Sequence, residues 1–173
     1  KNRQPPWSPD GGQIAFVSYG RRANGIYVMD ENGNKQERLT PNMAFTADPS
    51  WSPDGNWIAY GAVDKAHTFQ IYGVRVVGEP RIERLTRALP HKLQPAWSPD
   101  GETIAYSSWV ILFRRKTIHL MTADGKHLKQ LSENHDGTDT DPDWFYLKGW
   151  SVPPDTSVVT IWGEIKASIT NRR

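Results

Sequence analysis

"WSPDG" at Trp7–Gly11, Trp51–Gly55 and Trp97–Gly101, with a worn copy "DPDWF" at Asp141–Phe145, decides how this chain is read. Tryptophans 7, 51, 97 and 144 stand 44, 46 and 47 residues apart. A fixed period of that size marks a repeat architecture. Other elements keep step with it: Ile-Ala-aromatic triplets begin at Ile14, Ile58 and Ile104, and Ile-aromatic or Ile-His pairs begin at Ile26, Ile71 and Ile118. Leu-Thr or Leu-Ser pairs at Leu39, Leu85 and Leu131 close the units.

Each unit predicts four short strands. In the second, "DPSWS" leads into the turn "PDG", then "WIAYGAV", a polar loop, "FQIYGVRVV", a turn at Gly78 and "IERLT". β-Branched and aromatic residues gather between Gly and Pro punctuation, the pattern of a meander of hairpins. In the Ser-Pro-Asp-Gly turn, Pro holds φ near −65°, Asp tolerates the next position and Gly supplies the left-handed residue that returns the chain to the ladder. The tryptophan before it is a large apolar plate on the innermost strand of a unit, able to be buried between neighbours. The Trp, Ile and Tyr positions of the repeat therefore read as core.

Length and charge bound the function. A chain of 173 residues can bury a sizeable core. A formal net charge of +2 does not call for a nucleic-acid partner, and the longest basic run is Arg114-Arg115-Lys116. Without cysteine there are no disulfides and no thiolate metal sites. The N-terminal "KNRQPPWSPDGG" has no apolar h-region and no window has the length of a membrane span, so an exported form would carry its signal outside this sequence. Abundant Trp, Tyr, Gly, Pro and Asp favour an all-β fold.

The motif "P-x-W-S-P-D-G-x-x-I-A-F/Y", followed by "I-Y-V-M-D-x-x-G" and "R-L-T", resembles the TolB-like, WD-like β-propeller repeat over three units from about Gln4 to Ser132, plus one strand at 141–146. The resemblance implies four-stranded antiparallel blades around a channel, commonly six of them, used for periplasmic protein-protein assembly. It favours a periplasmic or extracellular setting. Similar blades also cap prolyl-oligopeptidase-like peptidases and form the scaffold of lyase-like enzymes, so the fold leaves two functions open. One is a non-catalytic module for protein or peptide binding, and the other is the propeller of a polysaccharide lyase or hydrolase or of a peptidase.

The units span 1–40, 48–86, 94–132 and 139–173, the last a partial blade with a closing strand near 158–165. About three and a half blades do not close a ring, since propellers close with four to eight. The open arc is expected to be part of a longer propeller, to meet a second copy of itself as a self-assembling half-propeller, or to borrow strands from a partner. Unit two carries Gly73 and Arg75 where unit one has Val28 and Asp30, which predicts an altered third strand and turn. Unit three inserts "WVILF", Trp109, Val110, Ile111, Leu112 and Phe113, at an expected hairpin tip, a candidate interface or an extension of two strands.

Up-and-down blades sort charges by face. Arg21, Arg22, Lys65, Arg114, Arg115 and Lys116 fall on one side, and Asp10, Asp54, Asp100, Glu31 and Asp124 on the other. At the start of each innermost strand, three residues before the tryptophan and followed by proline, stand Gln4, Asp48, Gln94 and Asp141, a polar ring at the channel mouth on the basic side. Asp139, Asp141 and Asp143 alternate as weak metal candidates, but Trp144 and Trp150 occupy the Gly and Glu positions that a calcium loop needs. Five dispersed histidines form no His-x-x-x-His pair, and there is no nucleophile elbow or phosphate loop. No cofactor and no catalytic residue is expected.

Overall fold

A computed structural model describes residues 5–20, 24–79, 81–87, 90–110, 115–132, 139–145 and 158–162. Among them every regular element is a strand, and no helix is long and apolar enough to cross a membrane. The first sheet holds β1 (Gln13–Ser18), β2 (Gly25–Asp30) and β3 (Glu37–Arg38), with Trp7 bridged to Ile14 at its inner edge. The second is a four-stranded meander of β4 (Thr46–Trp51), β5 (Trp57–Val63), β6 (Phe69–Arg75) and β7 (Ile82–Arg84). The third repeats it with β8 (His91–Trp97), β9 (Thr103–Val110), β10 (Arg115–Thr122) and β11 (Lys129–Gln130). β12 (Thr140–Phe145) pairs antiparallel with β13 (Val158–Trp162) and starts a fourth.

Two repeated hydrogen-bond devices explain the motif. In the Ser-Pro-Asp-Gly turns the Gly N–H donates to the Ser carbonyl at 2.9 Å in all three copies, with Gly11, Gly55 and Gly101 at φ 75°, 71° and 75°. The Ser hydroxyl donates to the Asp carboxylate (2.6, 2.5 and 2.5 Å) and accepts the backbone N–H of Gln13, Trp57 or Thr103. Ser and Asp thus lock each other across the turn, which holds the Asp10 and Asp54 carboxyls below their ordinary range. At Asp10 the Ser8 hydroxyl is the main cause; at Asp54 burial raises the value, but Ser52 and Asn56 together outweigh it. The second device is the closing Leu-Thr or Leu-Ser pair. Thr40, Thr86 and Ser132 accept the N–H of Ile26, Ile71 and Ile118 through their hydroxyls, so the third strand finds a partner where the short fourth strand has ended.

The sheets stack face to face, and alternation along β5 shows how. Ile58, Tyr60 and Ala62 pack with Ala15, Ile26 and Val28 of the first sheet, whereas Ala59 joins Ile104, Tyr106 and Met121 of the third. Both faces of this strand are buried, which is why "WIAYGAV" reads as an almost unbroken apolar run. Each fully buried Ile contributes roughly 1.5–3 kcal/mol. Tryptophan ties adjacent sheets together: the Trp51 indole N–H donates to the Pro6 carbonyl at 3.2 Å, and that of Trp144 donates to Ala96 at 3.0 Å. Trp97 makes the corresponding joint through its backbone, donating to the Ser50 hydroxyl at 3.3 Å. Trp51 is 8% exposed and Trp7, with no described sheet before it, is 54% exposed.

Two sequence expectations are refined. β6 runs unbroken from Phe69 to Arg75, so Gly73 does not disturb the strand. A Cβ there would lie 3.5 Å from the Trp57 ring, an ordinary packing distance. In the third sheet the ladder continues through Trp109 and Val110, paired with Lys116 and Arg115, so these two residues lie within the strands rather than at a hairpin tip. Ile111, Leu112 and Phe113 lie outside the described residues.

Asp64 supplies a pH-dependent tie in the second sheet. Its carboxylate accepts the N–H groups of Ala66 and Thr68 at 2.9 Å and the Arg84 guanidinium at 2.8 Å. Burial pushes its carboxyl up, but the two amides and Arg84 together bring it below the ordinary value. A folded value below the unfolded one means that the linked stability is present above about pH 4 and is lost as pH falls through the folded value. Urea midpoints between pH 6 and pH 2 should therefore fall less steeply in Asp64→Asn than in the parent. Identical slopes would show that this tie does not contribute to acid sensitivity.

Candidate binding site at the channel mouth

The prolines in Asp48-Pro49, Gln94-Pro95 and Asp141-Pro142 cannot donate to a ladder, which suits an irregularity at the start of an inner strand. The pairing bears this out. Ala47 faces Gly61 and Ser50 faces Ala59, so Asp48 and Pro49 together oppose one residue, Tyr60. The same two-against-one bulge occurs between Leu93 and Ala96 and between Thr140 and Asp143. In each bulge the residue before proline is left-handed, with φ 52° at Asp48, 60° at Gln94 and 57° at Asp141. A non-glycine residue held there costs about 1–2 kcal/mol.

These bulges turn three polar side chains toward one concavity. Asp48, Gln94 and Asp141 line a cavity of about 1070 Å³ on the inner side of the arc, together with Tyr19, Ser50 and Asp143. Gln94 bridges the third and fourth units: its amide nitrogen donates to Asp141 Oδ1 at 2.6 Å, and its oxygen accepts the Asp141 N–H at 3.3 Å and the Ser107 hydroxyl at 2.7 Å. Thr140 donates to the other Asp141 oxygen at 3.2 Å. Tyr19 reaches over from the first sheet, its hydroxyl donating to the Thr46 carbonyl at 3.2 Å. Burial, and then the Asp48 carboxylate, push its phenol up. The mouth is a partly anionic rim that also carries amide and hydroxyl groups.

Of the ring expected from sequence, Asp48, Gln94 and Asp141 come together on this rim, and Gln4 lies outside the described residues. Tyr19 was not anticipated; its place one residue past β1, on the side where the inner strands begin, is the signal that marks it. On the expected basic side Lys65 is exposed and Lys116 half-buried, while Arg115 opens β10; Arg21, Arg22 and Arg114 lie outside the described residues. The acidic bulge residues share that side, so its inner rim is mixed in sign. On the opposite side Asp10, Asp54, Asp100 and Asp124 are all committed to turns through a neighbouring Ser or Thr hydroxyl, and Glu31 lies exposed. Of the weak metal candidates, Asp143 accepts the Trp144 N–H and Asp141 is bonded to Gln94. Among the described residues no three His, Asp or Glu side chains converge as metal donors.

Blades of this order, stacked around an inner rim of bulged strands, have counterparts. The family model of the TolB β-propeller domain matches residues 1–111. The chain belongs to this family. A stretch of 35 residues is 49% identical to the Tol-Pal system protein TolB of Thioalkalivibrio sulfidiphilus (strain HL-EbGR7), covering 20% of this chain and 8% of that protein. Among solved structures, the putative TolB from Agrobacterium tumefaciens aligns with a TM-score of 0.63 at 28% identity over 72% of this chain and 46% of its own. TolB from Acinetobacter baumannii aligns with a TM-score of 0.69 at 20% identity, over 92% and 42% respectively. A puromycin-hydrolysing peptidase of Mycobacterium tuberculosis shares the fold at a TM-score of 0.63 and 20% identity, over 80% of this chain and 23% of its own. The chain spans less than half the length of each of these TolB relatives.

Proposed function

We propose that this chain is a non-catalytic TolB-like β-propeller module that holds a protein or peptide segment at its channel mouth. The reading rests on one observation: three repeats place a polar residue in the left-handed conformation at the same bulge, all facing one cavity. Strain repeated at equivalent positions over a cavity points to a functional rim. Asp48, Gln94 and Asp141 set two carboxylates and an amide along that cavity, and Trp109 stands near the end of β9, paired with His91. The likeness to a protein named for the Tol-Pal system supports a partner that is itself a protein, and a periplasmic setting.

The second reading makes these blades the propeller of a peptidase, supported by the fold shared with the puromycin-hydrolysing enzyme. A third makes the arc one half of a ring completed by a second copy, since propellers close with four to eight blades.

Affinity capture from a bacterial envelope extract separates them. The expected result is a recovered partner whose yield drops about tenfold in the double variant Asp48→Ala, Asp141→Ala, as when charged hydrogen-bonding groups are truncated at an interface. Unchanged recovery in that variant and in Trp109→Ala would remove the proposed site. Sedimentation of the same sample distinguishes a monomer from a two-copy ring.

A further inference from the structure

Aligned on the period, Tyr19 corresponds to Trp109 and Phe45 to His91, while Phe69 occupies the position of Lys116. All lie at strand ends on the side of the mouth. In the fold they form a single row: Tyr19 to Phe45 at 5.9 Å between ring centroids, Phe45 to Phe69 at 5.3 Å, Phe69 to His91 at 5.7 Å and His91 to Trp109 at 5.9 Å. The Lys116 ammonium caps the row, 5.7 Å from the Trp109 ring centroid. The row crosses three sheets and does not belong to the buried clusters between them. Tyr19 is 63% and Phe45 39% exposed, and the other three rings are half-buried.

The row has chemical direction. At its inner end Tyr19 lines the cavity with Asp48, and at its outer end stands Lys116. In the middle, His91 Nδ1 accepts the Phe69 N–H at 3.1 Å, so the neutral ring carries its proton on Nε2 as a donor. Rings in series with interspersed donors suit a polyproline II segment, whose backbone is unpaired and whose apolar face recurs every turn. Two steps along the row span at most about 11 Å, against about 9 Å per turn of such a helix.

We propose that this aromatic row is a docking strip for an extended proline-rich peptide, with an acidic residue of the peptide on Lys116 and a basic residue toward Asp48. The strip lies outside the three bulge residues and so goes beyond the mouth reading. Together they describe a segment that crosses the face of the blades before reaching the channel.

The test uses a fluorescein-labelled synthetic peptide of six prolines flanked by two glutamates at one end and a lysine at the other, titrated with the whole chain by fluorescence anisotropy. Saturable binding is expected. Phe45→Ala should weaken it about tenfold, the scale of one aromatic contact. Lys116→Glu should weaken it and shift preference to a version of the peptide whose glutamates are replaced by lysines; this variant leaves every ring in place and keeps the test open if Phe45→Ala misfolds. Wild-type affinity in both variants with an unchanged urea midpoint, absence of saturable binding to the parent chain, or binding of chitohexaose in place of the peptide would each overturn the strip. Loss of binding in Asp141→Ala but not in Phe45→Ala would place the peptide in the mouth alone and also overturn it. Loss in Phe45→Ala with no effect of the mouth variants on envelope capture would retain the strip and remove the mouth reading.

Discussion

Gly125→Ala is expected to destabilise the chain by about 3 kcal/mol or more, the sum of a left-handed backbone penalty and a backbone collision between sheets. Gly125 sits at φ 78° in the turn between β10 and β11, and its N–H donates to the Thr122 carbonyl at 2.8 Å. A Cβ there would lie 2.3 Å from the Leu85 carbonyl oxygen and 3.0 Å from the Leu85 Cα. Leu85 cannot yield cheaply, because its N–H donates to Ile71 and the adjoining Thr86 hydroxyl accepts from the same residue. Gly33 gives an internal control: it holds φ 79° in the corresponding turn of the first unit, and a Cβ there meets nothing within 4 Å. Gly33→Ala should therefore cost only the conformational penalty, about 1–2 kcal/mol. Urea denaturation of both variants separates the two contributions, and equal losses would show that Gly125 does not mark a close approach of sheets.

Trp51→Ala should cost about 3–5 kcal/mol, the range for truncating a buried aromatic residue. The ring is 8% exposed in the cluster between the first two sheets, and its N–H holds the Pro6 carbonyl. Trp51→Phe keeps most of the apolar plate and removes the tie, for a loss of about 1 kcal/mol from the hydrogen bond and a further share from the smaller ring. Trp7→Ala, at the same place in the repeat but 54% exposed, should change stability far less. Thermal or urea unfolding of the three variants reads the order directly. Equal costs at positions 7 and 51 would show that burial between sheets is not what the motif tryptophan provides.

The contrast between Trp7 and Trp51 also shows why the sequence could be read so far. A period written in Trp, Ile, Gly and Pro reports local needs: the glycine a turn requires, the alternation of a strand buried on both faces, and the Ser and Asp that lock the turn. Each need is met within about ten residues of chain, so it leaves a readable mark. The polar ring at Asp48, Gln94 and Asp141 was legible for the same reason, because each residue precedes a proline at a fixed distance from the motif. What it does with its backbone was not. A left-handed residue and a two-against-one bulge depend on the register of the next strand, which spacing alone leaves open.

The row of rings was hidden by a different cause. Tyr19, Phe45, Phe69, His91 and Trp109 come from three units and from three different positions within them. Their neighbours in space are 22 to 26 residues away in the chain for Phe45–Phe69, Phe69–His91 and Tyr19–Phe45. "WVILF" was similarly ambiguous until the pairing of Trp109 with Lys116 and of Val110 with Arg115 carried the ladder into its first two residues.

The sequence by itself therefore determined the blade, its turns and closing hydroxyls, the order of units and the family to which they belong, because those features are built from short-range hydrogen bonds and alternating burial. Only the tertiary structure decided which copy of a repeated residue is buried, which polar residues share a cavity and which rings touch. The same letter in each repeat meets a different neighbour, since stacking the sheets, rather than folding each one, creates those contacts.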